Sequence, residues 1–278
     1  MTDDEKKALA DAVCQAASSH AVAHSVALVN FADSANPSLG SGTCIKIGDR
    51  YLVGTAGHNF DGVTTDQQIV LVPPHRWSNE WLPYTARNHC GRPVDVGWIE
   101  IPETSARALG RDFLSIDRLE LGQNHFPDDW CLVQGYPAGL IDRALLGACR
   151  LQIAGMGFMT DTVEPGQWPT DVSPPLDRSR DVLLDYIEVG RRSDTGENVN
   201  LPNAYGLSGG SVLRVTPPFD SDLWVPGKVH LVAIERGFLE TGRTLTATQI
   251  HLWLRLVYED FADLREVIGP RLEPLGVL

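Results

Sequence analysis

The sequence contains few cysteines, and no two of them lie close together. Five cysteines occur in 278 residues, an odd number, and none shows the Cys-x-x-Cys spacing of a redox or zinc motif. An odd number cannot pair completely, so the sequence does not read as a small secreted domain held together by disulfides. The composition predicts free thiols in a reducing compartment.

Long apolar runs and excess positive charge are also absent. No stretch approaches the roughly 20 apolar residues that span a bilayer. The start of the chain, Met1-Thr2-Asp3-Asp4-Glu5-Lys6-Lys7, is charged and lacks the apolar core of a signal peptide. A net charge of −13 argues against non-specific nucleic-acid binding. We therefore expect a soluble, cytoplasmic protein without nucleic-acid or membrane partners.

Short apolar runs recur along the chain and are separated by turn-forming residues. Runs of this length at regular intervals favour β-barrels over a doubly wound sheet. Helical spacing of apolar residues is confined to the two ends, at Asp3–Ser18 and at Thr248–Glu266. The predicted strands are Ala23–Phe31, Thr43–Ile47, Tyr51–Thr55, Ile69–Val72, Val96–Ile101, Trp130–Gln134, Ala144–Ala154, Val182–Val189, Ser211–Val215 and His230–Arg236.

Three blocks contain the residue types of a nucleophilic hydrolase. A serine hydroxyl is a weak nucleophile that needs a neighbouring base, and the base needs a third group that fixes its tautomer. We expect Ser208 to be the nucleophile, His58 the base and Asp95 the orienting group. The blocks, in chain order, are Thr55-Ala56-Gly57-His58, Val94-Asp95-Val96-Gly97-Trp98-Ile99 and Gly206-Leu207-Ser208-Gly209-Gly210.

The glycines around the serine predict an oxyanion site. Gly206 lets the backbone turn so that the N–H groups of Gly206 and Ser208 converge on the oxygen that becomes charged. Gly209 and Gly210 are expected to let the chain pass close to a substrate without a Cβ in the way. No cofactor or metal is expected, because acyl transfer by this route needs none.

Each block alone has an ordinary explanation. A glycine-rich serine turn can be a flexible loop, a lone histidine can be a satisfied core or surface residue, and an aspartate can simply begin a strand. Their order and spacing, each at the end of an apolar run, favour the hydrolase over these alternatives.

Together the blocks resemble the trypsin-like, chymotrypsin-fold serine peptidases, and bacterial members more than secreted animal ones. In the right order, Ser41–Ile45 resembles the strand before the histidine, Val133–Pro137 the motif that opens the second barrel, and Val229–Gly237 the strand after the nucleophile. The resemblance covers roughly residues 22 to 260. It implies a serine endopeptidase acting on protein or peptide substrates, with two six-stranded antiparallel β-barrels. The implied division is an N-terminal helix at 1–20, a first barrel at 21–120, a second at 121–245 and a C-terminal helix and tail at 246–278.

Two departures from the family pattern bear on regulation. Leu207 stands where secreted animal enzymes carry an Asp that pairs with a newly cut N-terminus, so that zymogen switch is not available. Asn59 follows the histidine where a bridging Cys is common, which leaves Cys44 without that partner. We expect restraint by narrow specificity, an inactive resting loop or a regulatory protein partner. The alternative is a catalytically silent or partner-activated peptidase-fold protein that acts as a binding or effector module.

The resemblance also places the primary specificity pocket. Pro202 falls near its base, where no acidic residue stands, and Ile234, Glu235 and Arg236 fall on the opposite wall. Glu235 could attract a basic side chain, Arg236 could neutralise it, or both could be solvated at a strand end. The segment Thr160–Arg180, rich in Pro, Asp, Thr and Ser, is predicted to border the cleft and limit access. Its alternative is a surface loop far from His58.

Overall fold

A computed structural model describes residues 2–72, 82–140, 155–218, 224–240 and 242–278. The chain forms two curled, mainly antiparallel sheets, each built on a path of six strands, with helices at both ends. The predicted chymotrypsin-like fold is therefore confirmed. The predicted strand Ala144–Ala154 lies outside the described residues. Within them, Cys14, Cys44, Cys90 and Cys131 are free thiols.

The first sheet contains the strands that carry His58 and Asp95. A tight turn at Gly48, whose φ is +57°, joins the second and third strands, as its Gly-Asp sequence indicates. A two-residue strand, β7 (Leu114–Ser115), adds a parallel pairing to β2 that the sequence did not predict. In spatial order the antiparallel path is β4 (Ile69–Val72), β1 (Ser25–Asn30), β2 (Ser38–Ile47), β3 (Arg50–Thr55), β6 (Val96–Ile101) and β5 (Ala86–Cys90).

The second sheet carries the serine turn. An irregularity in the pairing of its longest strand falls between Glu235 and Gly237, so Arg236 is the extra residue of a bulge. A separate hairpin joins β11 (Val189–Arg191) to β12 (Asn198–Asn200). In spatial order the six strands are β10 (Asp181–Asp185), β15 (Thr244–Gln249), β14 (Val229–Leu239), β13 (Ser211–Val215), β8 (Trp130–Gly135) and β9 (Met156–Thr160).

The helices differ in detail from the sequence prediction. Helix α1 (Asp3–Ala23) begins with a Thr2/Glu5 capping box and runs five residues beyond the predicted end. The single C-terminal helix predicted over Thr248–Glu266 is wrong. Phe261 adopts φ −114° and ψ 97°, which is not helical, and divides the segment into α3 (Ile250–Asp260) and α4 (Arg265–Leu272). A short helix, α2 (Glu103–Leu109), follows β6.

One apolar core joins the two sheets. Leu52 of the first sheet, Leu213 of the second and Trp253 of α3 belong to the same buried cluster. The Trp253 indole N–H donates to the Gly97 carbonyl at 2.9 Å, so this buried polar group is satisfied. The packing fixes the seam between the sheets, where the candidate site lies. No helix in the described part of the chain is both long enough and apolar enough to cross a bilayer.

Candidate active site

The pairing of β3 with β6 determines where His58 and Asp95 lie. Thr55 at the end of β3 lies opposite Gly97 near the start of β6, so residues just outside the two strands meet. His58 lies in the 3-10 turn Gly57–Phe60 after β3. Asp95 Oδ1 accepts the His58 backbone N–H at 2.7 Å, and Oδ2 lies 2.9 Å from His58 Nδ1. Both carboxylate oxygens of Asp95 therefore hold the histidine.

The surroundings keep Asp95 charged and in place. Its side chain is only 3% exposed, whereas that of His58 is 28% exposed. Burial acts to raise the pKa of Asp95, but the hydrogen bonds and charge of His58 outweigh it and leave that pKa below its usual value. Asp95 has a φ of +55°, a left-handed conformation that is uncommon outside glycine. Backbone strain of this kind is typical of functional sites.

Asn59, the residue after His58, connects the histidine turn to Ser208. Its Nδ2 donates to the Ser208 carbonyl at 2.9 Å and to Thr55 Oγ1 at 2.8 Å. The backbone N–H of Ser41 donates to the same Ser208 carbonyl at 2.7 Å. The structure thus brings the three predicted residues to one place at the seam between the sheets. Within the described residues, no hydrogen bond joins the Ser208 hydroxyl to His58 Nε2.

The turn before Ser208 has the form that an oxyanion site requires. Leu207 N–H donates to the Ala204 carbonyl at 3.0 Å, and Gly206 at the third position has φ +90°, as in a type II turn. A type I turn would have a φ of about −90° there and the central peptide flipped. The central carbonyl, that of Tyr205, accepts the Ala138 N–H at 2.6 Å. Because a peptide is planar and trans, the Gly206 N–H points the opposite way.

Two donors in this turn remain free. Across the described chain, neither the Gly206 N–H nor the Ser208 N–H has an intramolecular acceptor. The Gly206 carbonyl is fixed separately, since it accepts the Ser41 hydroxyl at 2.7 Å. A turn held rigidly on its carbonyl side with its N–H groups unpaired can bind a developing oxyanion without rearranging.

Gly209 and Gly210, after Ser208, are needed for packing, whereas from the sequence we expected them to give clearance for a substrate. A Cβ on Gly209 would lie 1.9 Å from the Ser41 carbonyl oxygen and 2.2 Å from Thr55 Oγ1. A Cβ on Gly210 would lie 2.4 Å from the Gln134 carbonyl oxygen. These positions need glycine because the serine turn packs against the backbone of both sheets. Clearance for a substrate is not what requires glycine there.

Leu207 supplies an apolar anchor for the turn. Its side chain is fully buried in the core of the second sheet, with Val133 and Val212. The position that would carry the zymogen aspartate is thus occupied by a packed side chain. Burial of a leucine contributes about 2 kcal/mol relative to exposure, which is enough to help hold the turn.

The four predicted pocket residues have separate locations. The Pro202 carbonyl accepts the Tyr186 hydroxyl, and Pro202 lines a surface groove with Ala204 and Phe238. Ile234 is fully buried in the core between the sheets, where its side chain approaches Gly54, so it has no face open to a substrate.

Glu235 and Arg236 are not solvated at a strand end, and they do not neutralise each other by contact. Arg236 bonds Asp181 at 2.8 Å and donates to the Pro93 carbonyl, with a side chain only 10% exposed. Glu235 is 1% exposed, and burial raises its pKa to about 8. The two residues therefore have separate environments, on either side of the register shift in β14.

The Thr160–Arg180 segment borders a cavity beside Asp95. The cavity has a volume of about 140 Å³, and Asp95, Arg92 and Arg236 form one side of it. Four residues of the segment form the other side: Val172, Ser173, Pro174 and Leu176. The segment is also tied to the second sheet, because the Arg178 carbonyl accepts from Asn124 and Gln249 side chains. His58 and Ser208 do not line this cavity, so the limit on access to the cleft stays a prediction.

Sequence reasoning missed the residues that connect the two halves of the site. Ser41 and Thr55 lie inside the motif blocks and Asn59 directly follows the histidine, but their roles depend on contacts between strands distant in sequence, which the blocks did not reveal. Asp181, which holds Arg236, gave no signal at all. In the described part of the chain, no three His, Cys, Asp or Glu side chains are grouped as metal ligands.

Comparison with known proteins identifies the fold. No protein-family model matches the sequence, and no curated protein matches it. Among solved structures, an inactivated protease paralogue from the scabies mite aligns with a TM-score of 0.50 and 14% identity, over 86% of this chain and 94% of that one. A serine endoprotease from Yersinia pestis aligns with a TM-score of 0.51 and 15% identity, over 88% of this chain and 65% of that one. At such identities the likeness shows the fold alone.

Proposed function

We propose that this chain, which has the fold of chymotrypsin-like serine proteases, is a serine endopeptidase. The observation that carries the proposal is the double hydrogen bond from His58 to Asp95, with the Ser208 turn held against it by Asn59. A structural histidine does not require a buried carboxylate on one ring nitrogen, a serine beside it and two unpaired backbone donors.

The arrangement supports acyl transfer in two steps. The Ser208 hydroxyl gives its proton to His58 Nε2 while Oγ bonds the substrate carbonyl carbon, and the carbonyl electron pair moves onto oxygen. The N–H groups of Gly206 and Ser208 bind that oxyanion. When it collapses, the peptide C–N bond breaks and the leaving amine takes the proton from His58. Water then attacks the acyl-enzyme by the same route in reverse.

Asp95 has the electrostatic role in this scheme. Because it is buried and holds Nδ1–H, it leaves Nε2 as the acceptor and stabilises the imidazolium once the proton arrives. The lowered pKa of Asp95 keeps the carboxylate charged at neutral pH. We further propose a cytoplasmic, bacterial-type enzyme with protein or peptide substrates, on the basis of the composition and the motifs.

A second candidate is a catalytically silent or partner-activated protein that uses the fold as a binding or effector module. The missing hydrogen bond between Ser208 and His58 in the described residues favours it. Such contacts are often long in resting enzymes and tighten only with substrate, so the endopeptidase remains the better-supported function.

A fluorophosphonate probe separates the two. The pure protein is treated with the probe, and the adduct is mapped by mass spectrometry. We expect one adduct, on Ser208, which Ser208→Ala and His58→Ala both abolish. The matched control is Ser34→Ala, an exposed loop serine that should label as the wild type does. An adduct elsewhere, or none on correctly folded protein, would contradict the endopeptidase and favour the silent or partner-activated module.

A further inference from the structure

Glu235 is a buried carboxyl beside the nucleophile that the reaction scheme does not use. Its backbone brackets the residues after Ser208, since Gly209 N–H donates to the Glu235 carbonyl at 2.7 Å and Glu235 N–H donates to the Gly210 carbonyl at 2.9 Å. The side chain is 1% exposed. Within the described residues its Oε2 is buried and has no hydrogen-bond partner. A buried carboxyl in this position needs a physical explanation.

The groups that face Glu235 do not neutralise a charge on it. The Ser208 hydroxyl and the Gly237 N–H favour the charged form, as does the more distant charge of Arg236, but in the described chain neither donor has hydrogen-bond geometry to the carboxyl. Arg236 is engaged with Asp181 instead. Asp95, across the site, disfavours the charged form, and the Tyr186 phenol supplies no charge.

Burial decides the outcome among these influences. It is the largest cause and raises the pKa of Glu235 to about 8, so the carboxyl is neutral at neutral pH. Unpaired buried carboxyls usually become neutral in this way, because leaving a charge out of water without a partner is costly.

We propose that Glu235 is a pH-sensitive switch beside Ser208: its neutral form leaves the serine reactive, and its ionisation switches the site off at alkaline pH. The inference rests on the proposed function, because it concerns the reactivity of the same serine.

Two physical effects would make the charged form of Glu235 slow the acylation of Ser208. A carboxylate accepts the Ser208 hydroxyl hydrogen bond strongly and so competes with His58 Nε2 for that proton. The carboxylate would also place a negative charge in a water-poor pocket next to the oxyanion, where like charges are poorly screened. The neutral acid has no charge and is a much weaker acceptor of the Ser208 hydrogen bond. In its presence the Ser208 proton still goes to His58, since Glu235 already carries its own.

The rate of fluorophosphonate acylation of Ser208, followed from pH 6 to 9.5, tests the proposal without a known substrate. In the wild type we expect the second-order rate constant to rise from acidic pH, because the base must be neutral, and then to fall at least tenfold above about pH 8. Glu235→Gln, a neutral isostere, should stay within threefold of the wild type at pH 7 and show no alkaline fall. Glu240→Gln, an exposed carboxyl just beyond β14, should retain the wild-type fall.

Three other results would contradict the role of Glu235 or the proposed function. A flat wild-type profile above pH 8, or an alkaline fall that persists in Glu235→Gln, would overturn the role of Glu235. Glu235→Leu provides a second uncharged variant if the glutamine does not fold, and circular dichroism at each pH separates unfolding from loss of reactivity. If the folded wild type does not label at Ser208 at any pH, the proposed endopeptidase function itself fails.

Discussion

At the scale of single residues, Asp95 has the most clearly defined role. Asp95→Asn keeps the size of the side chain but removes the charge and can present an amide N–H to His58. We expect the acylation rate at pH 7 to drop by about 10⁴-fold, as for the comparable change in a well-studied triad. Stopped-flow or discontinuous labelling measures it, with Asp66→Asn as an exposed control. A loss smaller than tenfold would remove Asp95 from the reaction.

Gly209 tests the packing explanation for the glycine pair. Gly209→Ala places a Cβ 1.9 Å from the Ser41 carbonyl oxygen at a φ of +91°, so backbone must move. We expect a loss of about 2–4 kcal/mol in the free energy of unfolding, measured in urea, or failure to fold. Gly166→Ala is the control, because its Cβ would meet nothing within 4 Å. Equal stabilities for the two variants would contradict the packing explanation.

The raised pKa of Glu235 should make the free energy of unfolding depend on pH. Its pKa is raised from 4.5 to about 8 in the folded chain, so the unfolded chain releases the proton first as pH rises. The buried carboxyl therefore does not destabilise the fold below pH 4.5. Between pH 4.5 and about 8 the free energy of unfolding falls by up to about 1.4 kcal/mol per pH unit. Urea denaturation at pH 5 and pH 8 should show a larger loss in the wild type than in Glu235→Gln. Equal losses would show that the folded carboxyl titrates normally.

At the scale of secondary-structure elements, the sequence predicted what depends on neighbouring residues. Apolar runs located β3 and β6, and their ends carried His58 and Asp95. The break at Phe261 could not be predicted, because the apolar spacing continues through it. The hydrogen bond from Asn59 to the Ser208 carbonyl also escaped prediction, since the two residues are 149 positions apart in the sequence.

The Thr160–Arg180 segment is expected to limit access of substrates to the site. Because Val172, Pro174 and Leu176 form one side of the cavity beside Asp95, deleting 165–175 should open it. We expect cleavage of short peptides to rise at least fivefold and the residue preference before the scissile bond to broaden. Activity of the intact protein on casein-like substrates should be low.

The control for that deletion removes Ser34 and Ala35 from an exposed loop of the first sheet. It should leave rates and preferences as they are. If the 165–175 deletion behaves like this control while remaining folded, the segment does not limit access.

At the scale of the whole molecule, strand spacing favoured β-barrels and the family resemblance implied two of them, but their relative placement is a matter of packing. Trp253 and its neighbours bury the seam, and this contact brings Ser208 of one half to His58 of the other. The order of the motifs indicated that the halves must meet. The side chains that join them could be recognised only in three dimensions, because each satisfies groups from both sheets.

The proposed function requires that the assembled site hydrolyses peptide bonds through Ser208. The most direct measurement is digestion of a diverse peptide library by the full-length wild type and by Ser208→Ala, with products identified by mass spectrometry. We expect defined cleavage products with the wild type and a loss of about 10⁶-fold in turnover with Ser208→Ala. Products that persist unchanged in the Ser208→Ala protein, or no products from a folded wild type, would contradict the proposed function.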